Sequence, residues 1–267
     1  MTQALGQLPK APLIYVLAQV VFTRVPKMDD IWEDFHKSVF NVYPESEIEH
    51  IEQFALKKEG LESSKETRWH LLSRDKREGL ILHSNQLILH TTRYTTSQEF
   101  FATLELALAN LIENLPGNIS VSRMGLRYID FLIPHGNLTV DSQVDKHLGM
   151  LDLDEIECKT IRFERIANYH TKIGGELIIR HRQTTAMDVL PNDLFPNILE
   201  PAPLLNVQKQ HPDDVVGMLD FDHVLKTNIN LDTTQIIDTF EKLQKITSAA
   251  FRQTTTKAAL DHWSEES

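Results

Sequence analysis

The string Leu219-Asp-Phe-Asp-His223 holds two carboxylates and an imidazole, the donors of a divalent-metal or acid–base site. On a strand, successive side chains point to opposite faces. Asp220 and Asp222 then share one face and His223 takes the other. The same parity groups Arg180 with Arg182 against His181. It groups Arg162 with Glu164 against Ile161, Phe163 and Arg165. If the three strands are neighbours, one face is a ladder of Arg162, Glu164, Arg180, Arg182, Asp220 and Asp222. The other is built from Ile161, Phe163, Leu177, Ile179, Leu219 and Phe221. That pattern predicts a half-solvated sheet with cross-strand ion pairs of about 0.2–1 kcal/mol each. The alternative, a metal-dependent hydrolase or nuclease on Asp220 and Asp222, needs a further ligand in a cleft.

Two histidines stand in Gly79-Leu-Ile-Leu-His-Ser-Asn-Gln-Leu-Ile-Leu-His90. A two-residue turn at Asn85-Gln86 pairs His83 with Ile88 and Ile81 with His90. Both imidazoles then lie diagonally on one face, about 7–8 Å apart by Cα. Leu80, Leu82, Leu87 and Leu89 fill the opposite, core-facing side. Zinc requires a third ligand, and spacing supplies none, so the histidines read as surface or pocket-wall groups.

The most distinctive stretch is Arg123-Met-Gly-Leu-Arg-Tyr-Ile-Asp130. Arg123, Gly125 and Arg127 share a face. Two guanidinium groups flanking a missing side chain suit a carboxylate, a phosphate or an acidic peptide. The other reading pairs both arginines internally and makes Gly125 a bulge or a close-packing position. The candidate ligand-binding residues are Arg123, Arg127, Tyr128, His83 and His90. No catalytic residue emerges, and metal binding is confined to the alternative at Asp220 and Asp222.

The elements that must position these groups follow from periodicity. Leu13–Val25 is rich in Val, Ile, Tyr and Phe and predicts a buried strand. Asp29–Val39 predicts a helix, with Ile31, Phe35 and Val39 in register and acids at its positive end. Strands are expected at Ile48–Lys57, Arg68–Arg74, Gly79–His83 and Leu87–Tyr94. A helix follows over Ser97–Leu115, capped by Ser97 and stopped by Pro116-Gly117. Further strands are expected at Ile119–Ile133, Glu157–Tyr169, Glu176–Thr185 and Val215–Asn228, with a short helix near Val144–Leu151. Prolines 191, 196, 201, 203 and 212 make residues 188–212 an irregular loop. Asp232–Phe251 predicts a second long helix, and Ala258–Trp263 a terminal one. Trp32, Trp69 and Trp263 read as core or interface packing. The sum is an α+β fold: a curved antiparallel sheet covered by long helices, in two similar β-α-β-β-β-α-like halves. Residues 1–117 form the first half and residues 118–267 the second, packed as one unit.

Composition sets the outer limits. The chain has 267 residues, a formal net charge of -11, and Asp+Glu 38 against Lys+Arg 27. Such a surface repels phosphate backbones, so duplex nucleic acid is not the expected partner, and a basic protein partner suits the field better. Cys158 is the only cysteine, which excludes an intrachain disulfide and suits a reducing, cytoplasmic setting. No signal-peptide pattern opens the chain, and the apolar run Leu13–Phe22 is too short to span a bilayer. Walker A, dinucleotide-fingerprint, HExxH, GxSxG and paired CxxC motifs are absent, and Gly is only 10. No cofactor is implied.

Ala11-Pro-Leu-Ile, Trp69-His-Leu-Leu-Ser, Thr92-Arg-Tyr94, Phe100, the Arg123–Asp130 stretch, Phe251 and Trp263 resemble a sporadically distributed family of prokaryotic proteins of about this length. The resemblance spans most of the chain and carries over no active-site residue. The patchy distribution resembles that of mobile or defence-associated genes. It implies an accessory, immunity or antitoxin-like role. The expected function is therefore a non-enzymatic binding protein acting through a protein partner, with a homodimer open. The alternatives are a sensor of a small anionic ligand or nucleotide, and the metal-dependent hydrolase.

Overall fold

The structure, a computed structural model, describes residues 8–57, 60–151, 161–186, 189–191, 193, 199, 210–211 and 214–265. Nine strands form a single antiparallel sheet. They are β1 (Leu13–Phe22), β2 (Glu45–Lys57), β3 (Gly60–Leu72), β4 (Glu78–His83), β5 (Gln86–Thr91), β6 (Ser120–Leu132), β7 (Phe163–His170), β8 (Glu176–Thr185) and β9 (Val215–Asn230). Their order is β2-β3-β4-β5-β1-β6-β9-β8-β7. β1 is apolar on both faces because it is central, paired with β5 on one side and β6 on the other. The β1–β6 ladder crosses the boundary expected near residue 117, with Leu17 opposite Arg127.

Five α-helices occur among the described residues: α1 (Trp32–Val39), α2 (Ser97–Asn114), α3 (Val140–Gln143), α4 (Thr233–Thr254) and α5 (Lys257–Ser264). The sheet, not the helices, dominates the fold. Only α2 and α4 are long, and both lie on the same face. Phe100, Leu104, Leu108 and Leu111 of α2 and Ile236, Phe240 and Leu243 of α4 bury against Val16, Ala18, Val20, Leu87, Leu89, Met124 and Leu126. Each of the Val, Leu, Ile, Phe and Met side chains contributes about 1.5–3 kcal/mol by leaving water. Phe101 and Phe240 join the two helices, with ring centroids 5.9 Å apart. Trp69 is buried and stacks on Trp32 at 6.0 Å, and Trp263 packs with Phe251 at 5.9 Å. No helix among the described residues is long and apolar enough to cross a membrane.

Several boundaries differ from expectation. Thr96, not Ser97, caps α2, because its hydroxyl accepts from Glu99 N–H at 3.2 Å. The helix expected over Asp29–Val39 breaks into a 3-10 turn at Met28–Asp30 followed by α1. The short helix expected near Val144–Leu151 sits at Val140–Gln143, capped by Thr139, because Val144 instead bridges Thr255. β3 runs back to Gly60, since it pairs with β2 along its length. β7 begins at Phe163; residues 157–160, like Cys158 and most of the loop expected at 188–212, lie outside the described residues.

The hairpin turn is Ser84-Asn85, not Asn85-Gln86. His83 therefore pairs with Gln86, Ile81 with Ile88, and Gly79 with His90. The cause is the neighbouring chain: Phe22 N–H and Val25 N–H take the carbonyls of Asn85 and Ser84 at 2.8 and 2.7 Å. Gln86 is left to enter the strand, where its side chain accepts from Gln19 at 2.6 Å. Parity is kept and register shifts by two.

Candidate functional site

The sheet separates the sequence candidates onto two faces. On the face away from α2 and α4, β6, β9 and β8 set Arg127, Asp220, Asp222 and Arg180 side by side, as parity requires. Arg127 holds Asp220 through two bonds, Nε–Oδ1 at 2.9 Å and Nη2–Oδ2 at 2.8 Å. Its other edge holds Asp193, Nη1–Oδ2 at 2.7 Å and Nη2–Oδ1 at 3.3 Å. Arg180 adds a bond of 2.9 Å to Asp220. Burial works against the Arg127 charge, but the two carboxylates outweigh it and hold the guanidinium ionised far above its ordinary range. Burial likewise opposes the Asp193 charge, and Arg127 wins, leaving that carboxyl below its usual range. Arg127 is thus occupied by the protein's own acids.

This corner corrects the expectation of a half-solvated face. Asp220 is 0% exposed. Ala186, Val189, Leu190 and Leu199 pack over Tyr15, Ile129, Phe131 and Met218, and this cover brings Asp193 to Arg127. Farther out the expected surface ladder is present, with Arg182 bonded to Glu164 at 2.7 and 3.2 Å. Arg123 donates to Gln19 and lies over Gly125, where a Cβ would meet the guanidinium at 3.8 Å.

His83 and His90 share this face but stand four residues apart along the hairpin, about 13 Å. His83 contacts Glu66 at 2.9 Å and Asn85 at 2.8 Å. His90 is fully buried against the Tyr15 hydroxyl at 2.9 Å, and burial pushes its imidazole down to about 3, so it stays neutral. Among the described residues, no group of three His, Cys, Asp or Glu side chains is placed to hold a metal ion.

Tyr128 points to the other face, and there the structure holds what the sequence reading missed. Tyr128 and Asp130 of β6, Phe221 of β9, Tyr94–Ser97 leading into α2, and Gln244, Thr247, Ser248 and Phe251 of α4 line a half-open cavity of about 300 Å³. Leu8 and Ala11–Leu13 close one side. The Tyr94 and Tyr128 hydroxyls are 3.5 Å apart, with their rings edge to face at 5.7 Å. Asp130 is 3% exposed, and among the described residues its carboxyl has neither a hydrogen bond nor an ion pair. Burial, helped by the like charge of Asp220, pushes that carboxyl up to about 8. No Lys, Arg or His lines the cavity among the described residues. The signal for Asp130 was available in principle: an acid on the strand face that otherwise carries Met124, Leu126 and Leu132.

A neutral carboxyl beside two phenols, walled by Phe221 and Phe251, can donate or accept one hydrogen bond and can ionise beside a cation. No protein-family model matches the chain, and no curated protein matches it.

Proposed function

We propose that the protein binds a small organic cation, an amine or guanidinium on an apolar body, in the cavity between β6, β9, α2 and α4. The observation that carries this reading is Asp130: a buried, partnerless carboxyl on the wall of a cavity without a basic side chain. Burying such a group unsatisfied is costly, and structures retain the cost where a ligand removes it. A bound ammonium would bond the carboxylate, while Tyr94, Tyr128, Phe221 and Phe251 offer aromatic faces to its charge and body.

Because Asp130 is largely protonated near neutral pH, cation binding releases a proton. Calorimetric titration of the full chain with primary amines, guanidines and their neutral isosteres tests this. Cations are expected to bind, with an enthalpy that varies with the ionisation heat of the buffer, and Asp130→Asn to abolish both effects. Equal affinity for a cation and its neutral isostere would sink the reading.

We read the expected two halves in the strand order as well. In one half β1 borders β5, which leads on to α2, and in the other β6 borders β9, which leads on to α4. On this reading the cavity sits at the junction, taking α2 from one half and β6 and α4 from the other.

The accessory, immunity-like role rests on a protein partner, and one observation favours a second copy of this chain. β7 is a sheet edge whose Ile166 and Tyr169 are 57% and 52% exposed. Antiparallel self-pairing centred on Ile166 places Phe163 opposite Tyr169 and Glu164 opposite Asn168, with no like charges opposed. Sedimentation velocity should show a dimer that Ile166→Lys dissociates. A monomer at every concentration removes this second reading.

A further inference from the structure

We infer that a second cleft, on the other side of the Pro9–Leu13 segment, binds a phosphate-bearing anion. The cleft measures about 550 Å³ and draws Lys10, Arg77, His135 and His262 to one wall system, with no Asp or Glu among its lining residues. In a chain of net charge -11 that concentration of basic groups runs against the overall field.

Arg77 is the anchor. Its backbone is fixed on both sides: its N–H donates to Asp75 at 3.2 Å, and its carbonyl accepts from Thr92 N–H at 2.8 Å. Its guanidinium has no hydrogen bond or ion pair among the described residues, and its Nε is buried without a partner. A guanidinium held half-buried and unpaired presents a planar fork matched to an oxyanion. His135 and His262, which line the same cleft, stack with ring centroids 4.5 Å apart and an interplanar angle of 24°. Two nearby acids temper the site. Glu265 meets Lys10 at 3.3 Å and His262 at 3.6 Å, and Asp75, bonded by Arg93 at 2.9 Å, also feels the Arg77 charge without bonding it. Glu265 is exposed, so an incoming phosphate displaces it from Lys10 without unfolding anything. A phosphate, with several charged oxygens, satisfies Arg77 and Lys10 together in a way that a single carboxylate does not.

Calorimetry on the full chain with inorganic phosphate and pyrophosphate tests this. One site is expected, with pyrophosphate the tighter ligand and affinity falling as salt rises. Arg77→Gln should weaken binding roughly tenfold or more. Glu265→Gln, a change at an exposed position, should tighten binding by freeing Lys10 and His262. Asp130→Asn should leave the phosphate affinity unchanged, which separates this cleft from the cation cavity. Absence of binding by either anion overturns the assignment. So does an affinity that neither Arg77→Gln nor Glu265→Gln moves.

Discussion

Arg127 and Asp220 stand diagonally across the β6–β9 ladder and close a two-bond pair at 2.9 and 2.8 Å in which Asp220 is fully buried. Asp193 holds one flank, and on the other Arg180 bonds Asp220 and reaches Asp222 at 3.9 Å. The two acids nevertheless occupy different surroundings: Asp220 is fully buried, while the Asp193 side chain is 68% exposed.

That difference sets the first prediction. Asp220→Ala takes the buried partner from both guanidinium groups, leaving Arg127 with the exposed Asp193 and Arg180 with Asp222 at 3.9 Å, and should cost about 3–5 kcal/mol. Asp193→Ala removes a partner that water replaces, and should cost about 1 kcal/mol or less. Urea unfolding of both variants checks the ranking. Equal losses would show that the cover, not the ion pair, holds this corner.

Asp130 sets a pH dependence. Its folded pKa of about 8 lies above that of an unfolded aspartate. Between pH 4 and pH 8 the native state keeps a proton that the unfolded chain has lost, so stability falls as pH rises through that window. Taken alone, the effect is on the order of 5 kcal/mol. Asp130→Asn should flatten the profile and be the more stable protein above pH 8. Chemical denaturation at pH 5 and pH 9 measures it, and parallel profiles for the two proteins would count against a raised carboxyl.

His90 acts in the opposite direction. Its folded pKa is about 3, so below the ordinary imidazole range the unfolded chain takes up a proton that the native state refuses. Stability is therefore lost as pH falls from about 6.5 toward 3. His70, His181 and His223 are also lowered, each mainly by burial, and add to the acid sensitivity. Imidazole resonances should show His90 neutral at pH 5. A His90 that titrates near its ordinary value would mean that the Tyr15 pocket is wet.

Two glycines separate packing from coincidence. A Cβ on Gly217 would collide with Val140 at the start of α3 and lie 3.2 Å from Leu132 Cβ. Gly217→Ala should cost about 1–3 kcal/mol. A Cβ on Gly125 meets nothing closer than Gln19 at 3.7 Å, so Gly125→Ala should change stability by about 0.5 kcal/mol or less. Melting temperatures of the pair decide whether the glycine in the Arg123–Arg127 stretch is required by packing.

By itself the sequence determined which side chains share a face. Strand parity depends only on the two-residue repeat of an extended chain, and that repeat is local. It correctly grouped Asp220 with Arg180 and Arg182, set His223 and His181 opposite, and turned Leu80, Leu82, Leu87 and Leu89 to the core. It also located α2 and α4, whose apolar stripes recur at helical spacing. What parity could not supply was order, register and cover, because these depend on contacts between residues far apart in the chain. Backbone bonds from Phe22 and Val25 moved the β4–β5 turn by one residue and separated the two histidines. The cover over Tyr15 and Phe131 buried Asp220 and delivered Asp193. Most of all, only the packing of α2 and α4 across the sheet could leave a space beside Asp130. A cavity is what neighbouring elements fail to fill, and no single element carries that information.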